Sequence, residues 1–167
     1  MKENYSGFTL FFSDRGSVPA LINPLLQEAL KQNGVSLIDA GNIFNPYVLA
    51  NYMAANKYNP RPILEKLSIQ RAFTCYQVES LISDLDLGIN TLVLLAPLLL
   101  FKDDSVRIST RQRLLISSLR KLRRLRKVFV FEYNLNAPDV LVKLLRQYAT
   151  VIEEKKLSPC IEQMRLF

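Results

Sequence analysis

The 167 residues predict an α/β fold with a mostly parallel central sheet and helices on both faces. Three observations lead there. Short runs rich in β-branched and aromatic residues alternate with helical patterns of about 10 to 15 residues, the rhythm of strand–helix–strand units. The most apolar run, Thr91–Leu100 (TLVLLAPLLL), carries no charge, as expected of a strand buried on both faces. No repeat, low-complexity tract or linker divides the chain, so residues 1–167 read as one domain.

Phe8–Phe12 (FTLFF) reads as the first strand, ended by the turn-like stretch Ser13–Ser17. Pro19 suits the first turn of a helix, where its missing N–H would be unpaired in any case. Leu21, Ile22, Leu25, Leu26 and Leu30 follow at helical spacing, with Pro24 near enough to the start to be tolerated. Asn33-Gly34 supplies the stop. Val35–Ala40 is the next strand, and helices run from Pro46 to about Lys57 and over Pro62–Leu67. Ser68–Ala72 is a third strand and Thr74–Ser83 a helix. The central strand is Thr91–Leu100, followed by the polar loop Lys102–Ser109 and a long helix over Thr110–Arg126. Val128–Glu132 is a strand, Asn134–Pro138 a loop and Asp139–Tyr148 a helix. Thr150–Glu154 and Cys160–Leu166 are expected to close the chain as a β-hairpin through Ser158-Pro159.

Composition narrows the chemistry. Hydrophobic residues make up 49% and charged residues 22%, a globular balance that argues against disorder. Lys and Arg number 22 against 15 acidic residues, a net charge of +7 that favours an anionic partner. Histidine is absent, and Cys75 and Cys160 lie far apart without CxxC spacing. The usual Cys/His zinc set and any Ser–His or Cys–His nucleophilic pair are thereby excluded, so neither a metal, a cofactor nor a catalytic residue is expected. Thr91–Phe101 is shorter than the about 20 residues a membrane span needs, and the N-terminus lacks a signal-peptide pattern. A cytoplasmic protein is expected, or a nuclear one in a eukaryote, with reduced thiols and no membrane partner.

Five segments, in order, resemble the RecA/RadA recombinase ATPase core, especially the archaeal RadA and eukaryotic strand-exchange branch. YSGFTLFFSDRGS is similar to that family's opening strand and phosphate loop, and VSLIDAGNIFNPYVL to its second strand and following helix. LEKLSIQRAFTCYQVESLI resembles the family's N-I-x-x-A-R-A-[FY] segment. LVLLAPLLLFKDDSVRIST and RQRLLISSLRKLRRL resemble its hydrophobic strand, first DNA-binding loop and succeeding helix. The resemblance covers residues 5–167 and implies a three-layer RecA-like P-loop NTPase fold, without the family's N-terminal DNA-binding domain.

The departures from the family carry the functional expectation. A phosphate loop needs G-x-x-x-x-G-K-[ST], so that backbone N–H groups wrap the phosphates while Lys and a hydroxyl reach phosphate and magnesium. The matching stretch here runs from Ser13 through Gly16 and Ser17 to Val18, Pro19 and Ala20. Ser13 replaces the first glycine and Val18 the second. Pro19 stands where lysine belongs, and Ala20 replaces the magnesium-binding hydroxyl. The family's metal-binding aspartate falls at Ala96-Pro97 and its catalytic glutamate at Gly41, although Asp39 survives. The chain has five glycines and no second glycine-rich loop. A non-catalytic core is expected.

From Arg107 to Lys127 the chain holds nine basic residues and no acidic one. At 100° per residue, Leu114, Leu115, Ser118, Leu119, Leu122 and Leu125 form an apolar face, and Arg113, Ser117, Arg120, Arg124 and Lys127 a stripe opposite. Lys102, Arg107, Arg111 and Arg113 lie nearest the segment that matches the family's first DNA-binding loop. These residues, with Arg120, Arg124 and Lys127, are the candidate phosphate contacts; a solvated outer helix face is the competing reading. No aromatic interleaves with the stripe, so non-specific backbone binding fits better than base stacking. Tyr47, Tyr52 and Tyr58 read as packing residues, Asp84 and Asp86 as turn formers, and Asp103-Asp104 as solvated. The loop at Asn134 and Asn136 matches the family's second DNA-binding loop but is very short.

The expected function is that of a RecA/RadA-like paralogue, binding DNA, an active RecA/RadA-type ATPase or both, as a homo- or hetero-oligomer in recombination or repair. The alternatives are a stand-alone nucleic-acid-binding module, or an ATPase only through a composite site completed by a partner.

Overall fold

A computed structural model describes residues 7–13, 18–32, 34–133 and 137–154. In chain order the elements are β1 (Gly7–Phe12), α1 (Val18–Gln32), β2 (Val35–Asp39), α2 (Pro46–Ala55), α3 (Arg61–Leu64), β3 (Leu67–Arg71) and α4 (Cys75–Ser83). They continue with β4 (Thr91–Leu95), α5 (Leu98–Phe101), α6 (Ile108–Leu122), β5 (Lys127–Glu132), α7 (Asp139–Tyr148) and β6 (Val151–Glu154). The six strands form one sheet in the order β3-β2-β4-β5-β1-β6, and every pairing is parallel.

The strand composition follows from this burial. All residues of β4 are buried, as are all of β1 and β5 except the first of each, so these strands read as unbroken apolar runs. One layer of core packs α1, α2 and α3 onto Phe11, Leu37, Val93, Leu95, Phe129 and Phe131. The other packs α4, α5, α6 and α7 onto Phe8, Leu10, Ile38, Leu94, Val128 and Val130. Connections that run toward β3 thus put their helices on one face, and those that run toward β6 put theirs on the other. This is what right-handed crossovers require. The architecture is consistent with the expected RecA-like three-layer fold.

Four expectations are corrected or left outside the described residues. The central strand stops at Leu95, because Ala96 takes a left-handed backbone (φ 48°) and Pro97 has no N–H for the ladder; Leu98–Phe101 is a short helix. The long helix ends at Leu122, and Lys127 begins β5. Pro24 lies in the interior of α1, exposed, where the helical bond to the Ala20 carbonyl has no donor. At the C-terminus, β6 lies parallel to β1, and the expected second arm of the hairpin, Cys160–Leu166, falls outside the described residues. No helix among the described residues is long and apolar enough to cross a membrane.

Candidate nucleic-acid interface

The carboxyl edge of the sheet is where doubly wound folds bind ligands. Gly41, just past β2, is packed so closely that an added Cβ would sit 2.8 Å from Ala96 Cβ and 3.2 Å from the Tyr133 hydroxyl. Gly41 and Ala96 are therefore close neighbours at the carboxyl edge of the sheet. Asp39 is fully buried and accepts the N–H groups of Ile43 (3.2 Å) and Phe44 (3.0 Å), with the Arg71 guanidinium 3.7 Å away. Its carboxylate is engaged in shaping the β2–α2 loop.

Glu132, at the end of β5, is buried and was not singled out from the sequence. Its carboxylate accepts the N–H groups of Leu98 (2.9 Å) and Tyr133 (3.0 Å), tying β5 to the start of α5. Glu132→Ala would strip a partner from the buried Leu98 N–H, which costs about 1–3 kcal/mol. A urea midpoint unchanged by this substitution would show that water satisfies both groups.

Of the stretch expected to resemble a phosphate loop, Ser13 follows β1, and Gly16 and Ser17 lie outside the described residues. Val18, in place of the family's second glycine, is buried with Ile22 against the sheet. Pro19 falls in the first turn of α1, and Ala20 is exposed. A cavity of about 80 Å³ lies between Val18, Ile22, Phe44 and Val48. That is well under the about 300 Å³ at which small-molecule sites begin.

The basic residues separate into distinct groups. Arg111 is not a surface cation: it is 6% exposed, and its guanidinium donates to the Phe101 carbonyl (3.2 Å) and Asp104 (3.2 Å). The helical spacing contains this signal, because Arg111 stands three and four residues before Leu114 and Leu115 on the apolar face. Lys121 donates to the Ser83 carbonyl (3.2 Å), and Arg123 lies 5.8 Å from the centre of the Tyr148 ring. Lys127 is half-buried on β5 and so leaves the helical stripe. Lys102 and Arg107 are exposed at the two ends of the α5–α6 loop. Within that loop the Ser105 hydroxyl and N–H donate to Asp103, holding its carboxyl below the usual range.

Arg113, Arg120 and Arg124 remain as an exposed row, with no ion pair among the described residues. They border an open groove of about 780 Å³ between α6 and the end of α4, shared with Ser83, Ser109 and Gln112. Ser83, Ser109 and Gln112 carried no sequence signal, because only the packing of α4 beside α6 brings them to the groove. Glu79 of α4 accepts from the Ser117 (2.8 Å) and Ser83 (3.0 Å) hydroxyls. Through Ser117 its carboxylate bridges the two helices and places one negative charge beside the groove, with no ion pair to Arg113, Arg120 or Arg124 among the described residues. The arrangement can hold a row of anionic groups. Among the described residues no group of three or more Cys, Asp or Glu could hold a metal ion. Cys75 is buried, and that burial pushes its thiol up.

The sequence matches no known family model and no curated protein.

Proposed function

We propose that this chain is a catalytically inactive RecA/RadA-like core that binds DNA through its backbone, using the outer face of α6. In this reading it acts as a DNA-binding, regulatory or assembly partner of an active RecA/RadA-type ATPase in recombination or repair. The observation that carries the binding role is the row Arg113, Arg120 and Arg124, exposed over an open groove and without ion pairs among the described residues. Like charges at helical spacing destabilise a helix by a few tenths of a kcal/mol per pair. A row of phosphates removes that repulsion and releases counterions, the source of non-specific affinity.

Inactivity follows from groups that phosphoryl transfer needs and this chain lacks: proline for the phosphate-binding lysine, alanine for the metal-binding aspartate, glycine for the base. Two measurements test the reading. Titration calorimetry with Mg-ATP should show no binding, and turnover by the purified chain would refute inactivity. The triple variant Arg113→Glu, Arg120→Glu, Arg124→Glu should keep its thermal midpoint while losing at least about 100-fold in DNA affinity near 0.1 M salt. Unchanged affinity would return the row to a solvated helix face.

A further inference from the structure

We infer that the α6 groove takes the backbone of double-stranded DNA in preference to a single strand, an inference that rests on the DNA-binding reading above. Arg113 and Arg120 are seven residues apart and Arg120 and Arg124 four. At the helical rise Arg113 and Arg120 lie about 10 Å apart along one face of α6. Arg124 lies in the turn that closes α6 and lines the same groove. The helix that carries the row is held in place, because α6 is packed along its buried face with α4 on one flank and α7 on the other.

This geometry selects among nucleic acids in two ways. A helix flanked by two neighbours has no free sides with which to enter a major groove about 12 Å wide, so base edges are out of reach and the contact is to phosphates. A duplex presents phosphates already fixed in space, at one charge per about 1.7 Å of axis, to cations carried on a helix held in place. A single strand must first be ordered, and proteins that hold one recover that cost by stacking bases on aromatic rings, worth about 1–3 kcal/mol per base. Among the described residues, the exposed aromatics Tyr47, Tyr58, Phe73 and Tyr76 do not line the groove, and Ile116 is its one apolar lining residue. The groove supplies positive charge and, among the described residues, no stacking platform.

The test is fluorescence anisotropy of the full chain with one labelled sequence, presented as duplex and as each single strand at matched salt. The expected result is at least about tenfold tighter duplex binding. Three phosphate contacts should give a loss of about 40-fold between about 50 and about 200 mM salt. AT-rich and GC-rich duplexes should bind alike, and R113E/R120E/R124E should abolish the duplex preference. Single strands bound as tightly as duplex would overturn this inference and leave the DNA-binding reading standing. Binding of neither form, or a polyglutamate probe matching the duplex in affinity, would overturn both. A duplex preference that survives in the triple variant would show that another surface makes the choice.

Discussion

Arg111→Glu is expected to destabilise the fold by about 3–5 kcal/mol, a large share of the about 5–15 kcal/mol that holds a domain together. The side chain is 7% exposed and its guanidinium faces the Phe101 carbonyl, so a carboxylate there would be buried against an oxygen. The ion pair with Asp104 contributes little, because that aspartate is 92% exposed. The cost comes from the inward end of the contact. Arg111→Met, which keeps most of the stem volume but leaves the Phe101 carbonyl without this donor, should cost only about 1–3 kcal/mol. Urea midpoints of the two variants decide the point. If Arg111→Glu unfolds at the wild-type midpoint and binds DNA more weakly, the residue belongs to the interface and its buried placement is wrong. The contrast with R113E/R120E/R124E, which should retain the wild-type midpoint, separates arginines that build the domain from those offered to a ligand.

The second large effect concerns attempts to restore the family's chemistry. Gly41→Glu should destabilise the protein by at least about 3 kcal/mol and restore no ATP turnover. Its Cβ would lie 2.8 Å from Ala96 Cβ, and both residues are buried. Gly41→Ala isolates the steric part and should cost about 1–3 kcal/mol. Ala96→Gly removes the colliding atom and relieves a left-handed backbone (φ 48°) that alanine adopts at a cost of about 1–2 kcal/mol. Gly41→Ala should therefore be far better tolerated in the Ala96→Gly background, with a coupling of at least about 1 kcal/mol in a double-mutant cycle. Additive effects would mean that the two positions do not press on each other.

Much of the fold was legible because it depends on short-range pattern. The buried runs of β1, β4 and β5, the apolar face of α6 and the stop at Asn33-Gly34 are stated by residue type and period alone. The same periodicity placed Arg111 on the inward face, but its charge suggested a surface ligand; the helical phase was the better guide. The end of the central strand was misjudged because Leu98–Phe101 is as apolar as the strand before it. Ala96-Pro97 stops the ladder, and α5 buries Leu98 and Phe101 in the core layer shared with α4, α6 and α7, so burial rather than strand geometry accounts for their composition.

By itself, the amino-acid order determined the alternating strands and helices, the excess of positive charge, and the lysine, aspartate and glutamate missing from the positions where the family resemblance expects them. Tertiary structure alone decided the strand order, the contact of Gly41 with Ala96, the burial of Glu132 against α5, and which arginines remain exposed. The physical reason is range. Periodicity and backbone preference act over a few residues, whereas parallel pairing joins strands distant in the chain, and only that pairing brings α4 beside α6 and opens a groove between them.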